Sequence, residues 1–247
     1  MNIRVIKNVL KPLLKTPLHP QWLTAYGSRT LADYINNIGD HQLVLDIGCF
    51  NKWPSQLLPA NCRYIGLDYF KTATEWYGSV PDVFGDACKL PVKSSSIDVV
   101  LLLDVLEHLP SIDTALQEAA RVLRPNGKLI LQMPFLYPLH DEPRDFCRIS
   151  RYGFMEFANK HGFSIEAWHA EGAPLETAGL LANIAISKVV FGWMAQKNPA
   201  MIFGVLAPVL ILLINLIAKG VSRITRRDEF MPYSYQLVMK KIPRTDA

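Results

Sequence analysis

Only four of the 247 residues are cysteine, and Cys49, Cys62, Cys88 and Cys147 form no C-x-x-C pair. Such spacing suggests neither a metal cluster nor a disulfide framework, so no metal is expected and a reducing cytoplasm is the default compartment. Charge is sparse at 19% of residues, and no short motif recurs, which excludes disordered, low-complexity and repeat architectures. The N-terminus lacks the apolar run and small-residue cleavage site of a secretory signal. A motif that reads RNA or DNA is missing as well. The expectation is a cytoplasmic protein with no nucleic-acid partner.

What is abundant is apolar surface. Half of the residues are hydrophobic, ample for one large α/β domain with a helical elaboration. The net charge of +4 is unevenly placed. Residues 1–18 carry Arg4, Lys7, Lys11 and Lys15 with no acid, and residues 219–247 carry seven bases against three acids. The stretch between them is therefore net −4, and basic ends of this kind suit an anionic surface better than a nucleic-acid groove.

Residues 20–38 are expected to open the fold as one helix, because Trp22, Leu23, Tyr26, Leu31, Tyr34, Ile35 and Ile38 recur near helical spacing. After Gly39 short apolar runs alternate with helical stretches. Leu43–Ile47, Tyr64–Leu67, Val83–Phe84, Ile97–Leu103, Lys128–Met133 and Phe163–Trp168 predict strands, and Ile112–Leu123 predicts a helix stopped by Pro125-Asn126-Gly127. The alternation implies an α/β, doubly wound, mostly parallel sheet. An apolar helical insertion precedes a last strand at Tyr233–Met239. The expected plan is a basic segment and helix over 1–39, a ligand-binding catalytic domain over 40–171, the insertion over 172–230, and the last strand and tail over 231–247.

Sheets of this kind bind ligands at the carboxyl ends of their strands. The first strand runs into Asp46-Ile-Gly48-Cys49-Phe50-Asn51, a sharp turn where Gly48 lets the backbone approach a ligand and Asp46 accepts from a cationic amine or from backbone donors. The second ends at Asp68, 22 residues beyond Asp46, a separation at which a carboxylate takes both hydroxyls of a ribose. The third delivers Gly85-Asp86-Ala87, an acceptor beside a small residue that suits an adenine amino group. The fourth ends in Asp104-Val-Leu-Glu107-His108. A full G-x-G-x-x-G turn is missing, which argues against a nicotinamide-dependent oxidoreductase.

In this order, and with Ser96-Ile-Asp98-Val-Val and Arg121-Val-Leu-Arg124-Pro-Asn-Gly127, the motifs over residues 40–170 resemble the class I S-adenosylmethionine-dependent methyltransferases, of the type 11 methyltransferase-domain family. The resemblance implies a seven-stranded Rossmann-like methyltransferase fold with S-adenosyl-L-methionine as cofactor. It also implies Asp46, Gly48 and Cys49 at the methionine part, Asp68 at the ribose, Asp86 and Ala87 at the adenine, and Asp104 beside the methyl. One departure is Phe50, where the family usually has a second glycine. A narrower similarity, over Met133–Phe154, is to a bacterial subgroup linked with surface glycan or lipid biosynthesis. That loop is rich in proline and presents Tyr137, His140, Asp141, Arg144, Asp145 and Arg148. His140 is the expected proton acceptor, or alternatively a loop tie to Asp145. Asp145 would orient it, and Tyr137, Arg144 and Arg148 would meet the substrate, Arg148 alternatively tying Asp145. His108 is expected to be a structural or pocket-wall histidine, or alternatively a base.

The insertion is the remaining signal. No residue between Lys197 and Lys219 is charged, and Met201–Ala218 is nearly long enough to cross a bilayer. The last strand must rejoin its sheet, so a single crossing is excluded. The expected forms are a hairpin of Pro174–Ala195 and Met201–Ala218 turning at Lys197-Asn-Pro199, or an interfacial helix bent at Gly204 and Pro208, with Lys219, Arg223, Arg226 and Arg227 at a cytoplasmic face. A lid or a homodimer interface would use the same apolar surface. The function read from all this is methyl transfer to an oxygen of a surface glycan or lipid-linked precursor at the inner membrane face. The alternatives are a small hydrophobic acceptor such as a quinone precursor, or an inactive scaffold.

Overall fold

The computed structural model describes residues 11–25, 28–225 and 228–243. Arg4 and Lys7 of the basic start, Tyr26 of the opening helix, and Arg226 and Arg227 after the insertion lie outside the described residues. Two units are distinguished, and each is built around its own core.

The larger unit takes residues 30–135, 139–170 and the chain from 234. Its strands β1 (Leu43–Ile47), β2 (Arg63–Asp68), β3 (Val83–Phe84), β4 (Ile97–Leu103), β5 (Leu123–Pro134), β6 (Phe163–Glu171) and β7 (Ser234–Lys241) form one sheet in the order β3-β2-β1-β4-β5-β7-β6. Strands β1 to β5 pair in parallel, and β7 runs antiparallel to β5. The expected seven-stranded, mostly parallel sheet is therefore the observed one.

Alternation along each strand explains why both faces are covered, since neighbouring side chains point to opposite sides. Leu45, Val100, Leu102, Leu129, Leu131 and Leu237 pack on one face with Leu116 and Ala119 of α2 (Ile112–Val122) and Phe154 of α3 (Arg151–His161). Val44, Val99, Leu101, Ile130 and Val238 pack on the other with Leu31 and Ile35 of α1 (Ser28–Asn36). Each such side chain contributes about 1.5–3 kcal/mol of burial. Helix starts are capped as composition suggests: the Ser111 hydroxyl accepts from Thr114 N–H and the Ser150 hydroxyl from Gly153 N–H, each at 3.3 Å.

The order reverses between β1 and β4, so the carboxyl ends of β1, β2 and β4 meet at a switch point. At the opposite end Asp98 accepts from Leu43 N–H at 2.8 Å and pairs with Arg124. Arg121 donates to the carbonyls of Leu90 (3.0 Å) and Val92 (2.8 Å) and to Glu118, which fixes the loop after Asp86. Both motifs thus serve the scaffold.

The smaller unit holds residues up to 29, 136–138 and 171–233. Here α4 (Pro174–Ala195) and α5 (Ala207–Ile224) form a hairpin joined through 3-10 turns over Pro199–Leu206. Gly179 permits the approach, since a Cβ there would meet Ile214 Cγ2 at 3.1 Å and Ala218 Cβ at 3.2 Å. Inside, Asn183 Nδ2 donates to Asn215 Oδ1 (2.8 Å), and Asn215 Nδ2 donates to the carbonyls of Pro17 and His19 (2.8 and 3.1 Å). Pro174–Ala195 and Pro199–Ile224 are each long and apolar enough to cross a membrane. Lys219 is paired at 2.8 Å with Glu176, a carboxylate of its own hairpin.

The single opening helix is corrected. It is a short 3-10 turn, Trp22–Thr24, and a separate helix, α1. Trp22 and Leu23 pack with Leu180, Ala218 and Tyr233, whereas Leu31, Ile35 and Ile38 pack on the sheet. One straight helix cannot serve both cores.

Candidate active site

The β1 turn is built by left-handed backbone. Gly48 has φ 77, and its N–H and that of Cys49 both reach the Leu67 carbonyl, at 2.8 and 3.2 Å. A Cβ at Gly48 would lie 2.5 Å from Val105 Cγ2. Phe50, at the family's second glycine position, also has positive φ, 42. It keeps the turn at a cost of about 1–2 kcal/mol. Its ring packs edge-on against Tyr77 with centroids 4.9 Å apart, and its N–H donates to Asp68 Oδ2 at 3.2 Å. Cys49 packs its side chain inward against β2, and burial pushes its thiol up to about 12, so only its backbone belongs to the turn.

The four strand-end acids have different surroundings. Asp46 is turned into the protein and accepts from the Tyr64 hydroxyl at 2.5 Å. Burial raises its pKa to about 7, the Tyr64 bond opposes this, and the nearby Asp68 charge adds to it. Among the described residues Asp68 accepts only from backbone N–H groups, Phe50 on Oδ2 and Tyr69 on Oδ1 (2.8 Å), which leaves carboxylate lone pairs for a diol. Burial raises its pKa and those two N–H bonds pull it back. Asp86 is exposed, with Oδ1 accepting from Cys88 N–H at 2.8 Å, while the Ala87 side chain sits in the core. Asp104 is exposed with φ 55 and accepts from Gln132 Nε2 at 2.6 Å. Left-handed non-glycine residues such as Phe50 and Asp104 concentrate where function demands them.

Beyond Asp104 a 3-10 turn, Leu106–His108, brings in a group that the motif contained and to which no role was assigned. Glu107 is wholly buried, and neither carboxyl oxygen has a hydrogen-bond partner. Burial, then the Asp104 charge, pushes its pKa up to about 9. Its Oε1 lies 3.7 Å from His108 Nε2 and 3.8 Å from His140 Nε2. His108 Nδ1 is 2.6 Å from the Arg144 carbonyl, which can only accept, so that nitrogen carries the proton. The His108 and His140 rings are edge-on with centroids 4.8 Å apart. An acid standing directly before a histidine at a strand end was the signal available in the sequence.

The polar loop reaches the same place. His140 Nδ1 lies 3.3 Å from Asp145 Oδ2, which also accepts the His140 N–H at 3.0 Å. Arg148 grips Asp145 with both guanidinium nitrogens, holding its carboxyl down to about 2, with burial opposing. Asp145 thus contacts both Arg148 and His140. Arg144 is a pin: its guanidinium lies 5.1 Å from the Trp76 ring and 5.8 Å from the Tyr69 ring, and donates to Thr72 at 3.3 Å. Tyr137 groups with the smaller unit, its hydroxyl accepting from Gln21 Nε2 at 2.5 Å. Tyr69, Phe70, Trp76, Tyr77 and Phe84 give the larger unit an exposed aromatic surface.

A β3-β2-β1-β4-β5-β7-β6 sheet with β7 reversed, a glycine turn after β1 and acids at the ends of β1, β2 and β4 define a class I S-adenosylmethionine-dependent methyltransferase fold. Residues 45–131 match the family model described as a methyltransferase domain. A protein of Mycobacterium tuberculosis described as a probable S-adenosylmethionine-dependent methyltransferase is 32% identical over 136 residues, 47% of this chain and 50% of that protein. The 27-O-demethylrifamycin SV methyltransferase of Amycolatopsis mediterranei is 35% identical over 107 residues, 38% of this chain and 39% of that one. The chain thus spans half or less of the length of these relatives. A methyltransferase-fold protein of Bacillus halodurans superposes with a TM-score of 0.53 at 15% identity, covering 87% of this chain and 98% of that one, which speaks for the fold. The Mycobacterium tuberculosis relative is named for S-adenosylmethionine as methyl donor, and the residues present here fit that donor. Asp68 retains acceptor capacity for the ribose, and Asp86 has an exposed carboxylate for the adenine.

Proposed function

We propose that the chain transfers the methyl group of S-adenosylmethionine to an oxygen of a glycan or lipid-linked acceptor at the inner face of a membrane. The donor supplies a methyl already activated on sulfonium, so the residues need to align the acceptor, exclude water and take up one proton. Asp68 holds the ribose and fixes the donor. His140 accepts the proton of the acceptor hydroxyl, and Asp145, held by Arg148, keeps its Nδ1 protonated and its Nε2 aimed inward. The exposed aromatic side chains Tyr69, Phe70 and Trp76 supply an apolar wall. The observation carrying the reading is the Asp145-oriented His140, a base on the loop after β5 that lies beside Asp104.

Oxygen as the acceptor atom draws support from the 27-O relative's name. Membrane contact draws support from the apolar hairpin, whose Ile202, Val205 and Ile217 are 71%, 74% and 62% exposed. That aromatic wall also favours a second reading, a small flat hydrophobic acceptor. Calorimetric titration with S-adenosylmethionine is the test. Asp68→Ala removes hydrogen bonds to a charged acceptor worth about 1.5–3 kcal/mol each, so affinity falls at least roughly tenfold. Equal affinity in parent and variant, or no binding by the parent, overturns the proposal.

A further inference from the structure

Glu107, His108 and His140 form a cluster beside Asp104 at the carboxyl end of β4. We propose that these three side chains bind a divalent transition-metal cation of the zinc type. Their ligand atoms all lie within 4.8 Å of one another, and Glu107 Oε1 is 3.7 and 3.8 Å from the two Nε2 atoms. A tetrahedral ion with bonds of about 2.1 Å needs ligand separations of roughly 3.4 Å, so these contract by a few tenths of an ångström, and the two histidines by more.

Two independent features point to an ion. Glu107 is wholly buried with both oxygens unpartnered, an arrangement costing several kcal/mol unless a proton or a cation answers it. Each histidine has its Nδ1 against an acceptor, the Arg144 carbonyl at 2.6 Å and Asp145 at 3.3 Å, which directs Nε2 toward Glu107. Histidine ligands are held in this way by outer acceptors that fix tautomer and orientation. Two imidazoles and one carboxylate are a donor set for zinc, cobalt or ferrous ions, and a magnesium site would call for oxygen donors. Three protein ligands leave one position open for water or an acceptor oxygen, the hallmark of a catalytic rather than a structural site.

One consequence rests on the methyl transfer proposed above and replaces its base: with the ion in place His140 Nε2 is a ligand and not the proton acceptor, and an acceptor hydroxyl on the ion sheds its proton more readily, to solvent. The binding itself does not rest on that reading.

The experiment uses tag-free full-length chain, stripped with chelator and titrated with Zn2+ by calorimetry and with Co2+ by visible absorption, S-adenosylmethionine affinity being measured on the same samples. The expected result is one equivalent of metal per chain, a tetrahedral Co2+ spectrum, and affinity at least ~100-fold weaker in Glu107→Gln and in His108→Ala. His161→Gln, at the separate His161–Asp113 pair, is expected to bind as the parent does. No saturable binding by the parent, or parent-like binding in Glu107→Gln and His108→Ala, overturns the proposal. Should those variants fail to fold, the parent's Co2+ spectrum decides: octahedral water-like absorption refutes the site. Metal bound without S-adenosylmethionine removes only the proposed function, and S-adenosylmethionine bound without metal removes only the ion.

Discussion

Gly48→Ala probes the donor turn at its tightest point. With φ 77, alanine meets a left-handed cost of about 1–2 kcal/mol. Its Cβ also lands 2.5 Å from Val105 Cγ2, while Val105 Cγ1 and Cβ stand off at 3.5 and 3.6 Å. Rotating or displacing Val105 adds about 1–3 kcal/mol of overpacking, and reduced freedom of the unfolded chain returns about 0.4–1 kcal/mol. The net loss is roughly 2–4 kcal/mol, a large part of the 5–15 kcal/mol that holds a typical domain. Val105→Ala makes space, so the double variant should recover the overpacking but not the backbone cost, giving a coupling energy of about 1–3 kcal/mol in a double-mutant cycle. Urea unfolding of the four proteins measures it, and calorimetry with S-adenosylmethionine reports whether the relieved turn binds again. If Gly48→Ala unfolds within about 0.5 kcal/mol of the parent, or the two substitutions simply add, the clash and the strain are not what shapes this turn.

Asp46→Asn keeps the acceptor for Tyr64 and removes a charge. Because the folded pKa of about 7 lies above the unfolded value of 3.8, this group contributes most below pH 4 and loses that contribution as pH rises to 7. The variant should therefore gain on the parent by roughly 1.4 kcal/mol per pH unit across that window and no further above it, read from urea midpoints at pH 5, 6, 7 and 8; a gap independent of pH contradicts the burial argument. His140→Ala should reduce turnover roughly 10²–10⁴-fold with donor affinity unchanged, measured with labelled donor once an acceptor is in hand; equal loss of donor binding assigns His140 to the scaffold. Flotation with vesicles should carry the full chain to the lipid fraction, more with anionic lipid and less in Ile202→Asp/Val205→Asp, whereas a wholly soluble chain refutes membrane contact.

Much of the sheet was legible because its strands carry their boundaries in composition. β1, β3 and β4 begin and end where their apolar runs do, since each leads into an aspartate or glycine that the turn requires. β5 was read short. Its first residue pairs with Ile97, and then the register jumps to Val99 opposite Lys128 across Pro125-Asn126-Gly127, with Asn126 at φ 65. Local turn signals marked that interruption but could not say that pairing begins before it. The opening helix failed for another reason: periodicity shows which residues want burial, not which of two cores will take them.

The site divides the same way. Asp68 and Asp86 could be placed because a strand-end acid is recognisable from order and spacing alone. The inward turn of Asp46 could not, because it depends on Tyr64 standing on the neighbouring strand, two residues before the Gly66 that faces Asp46. Glu107 was hidden for a deeper reason. An acid in a polar motif reads as a solvated group, and only the 3-10 turn after β4, closed by the Phe146 N–H donating to the Glu107 carbonyl at 2.8 Å, buries it without a partner. That turn is held by the loop after β5, which also carries His140, Asp145 and Arg148. The loop is therefore more than an acceptor rim: the same segment that orients the base creates the desolvated carboxylate beside it. Changes that loosen Asp145 from Arg148 act on both at once, whereas His140→Ala and Glu107→Gln each alter one of the two groups.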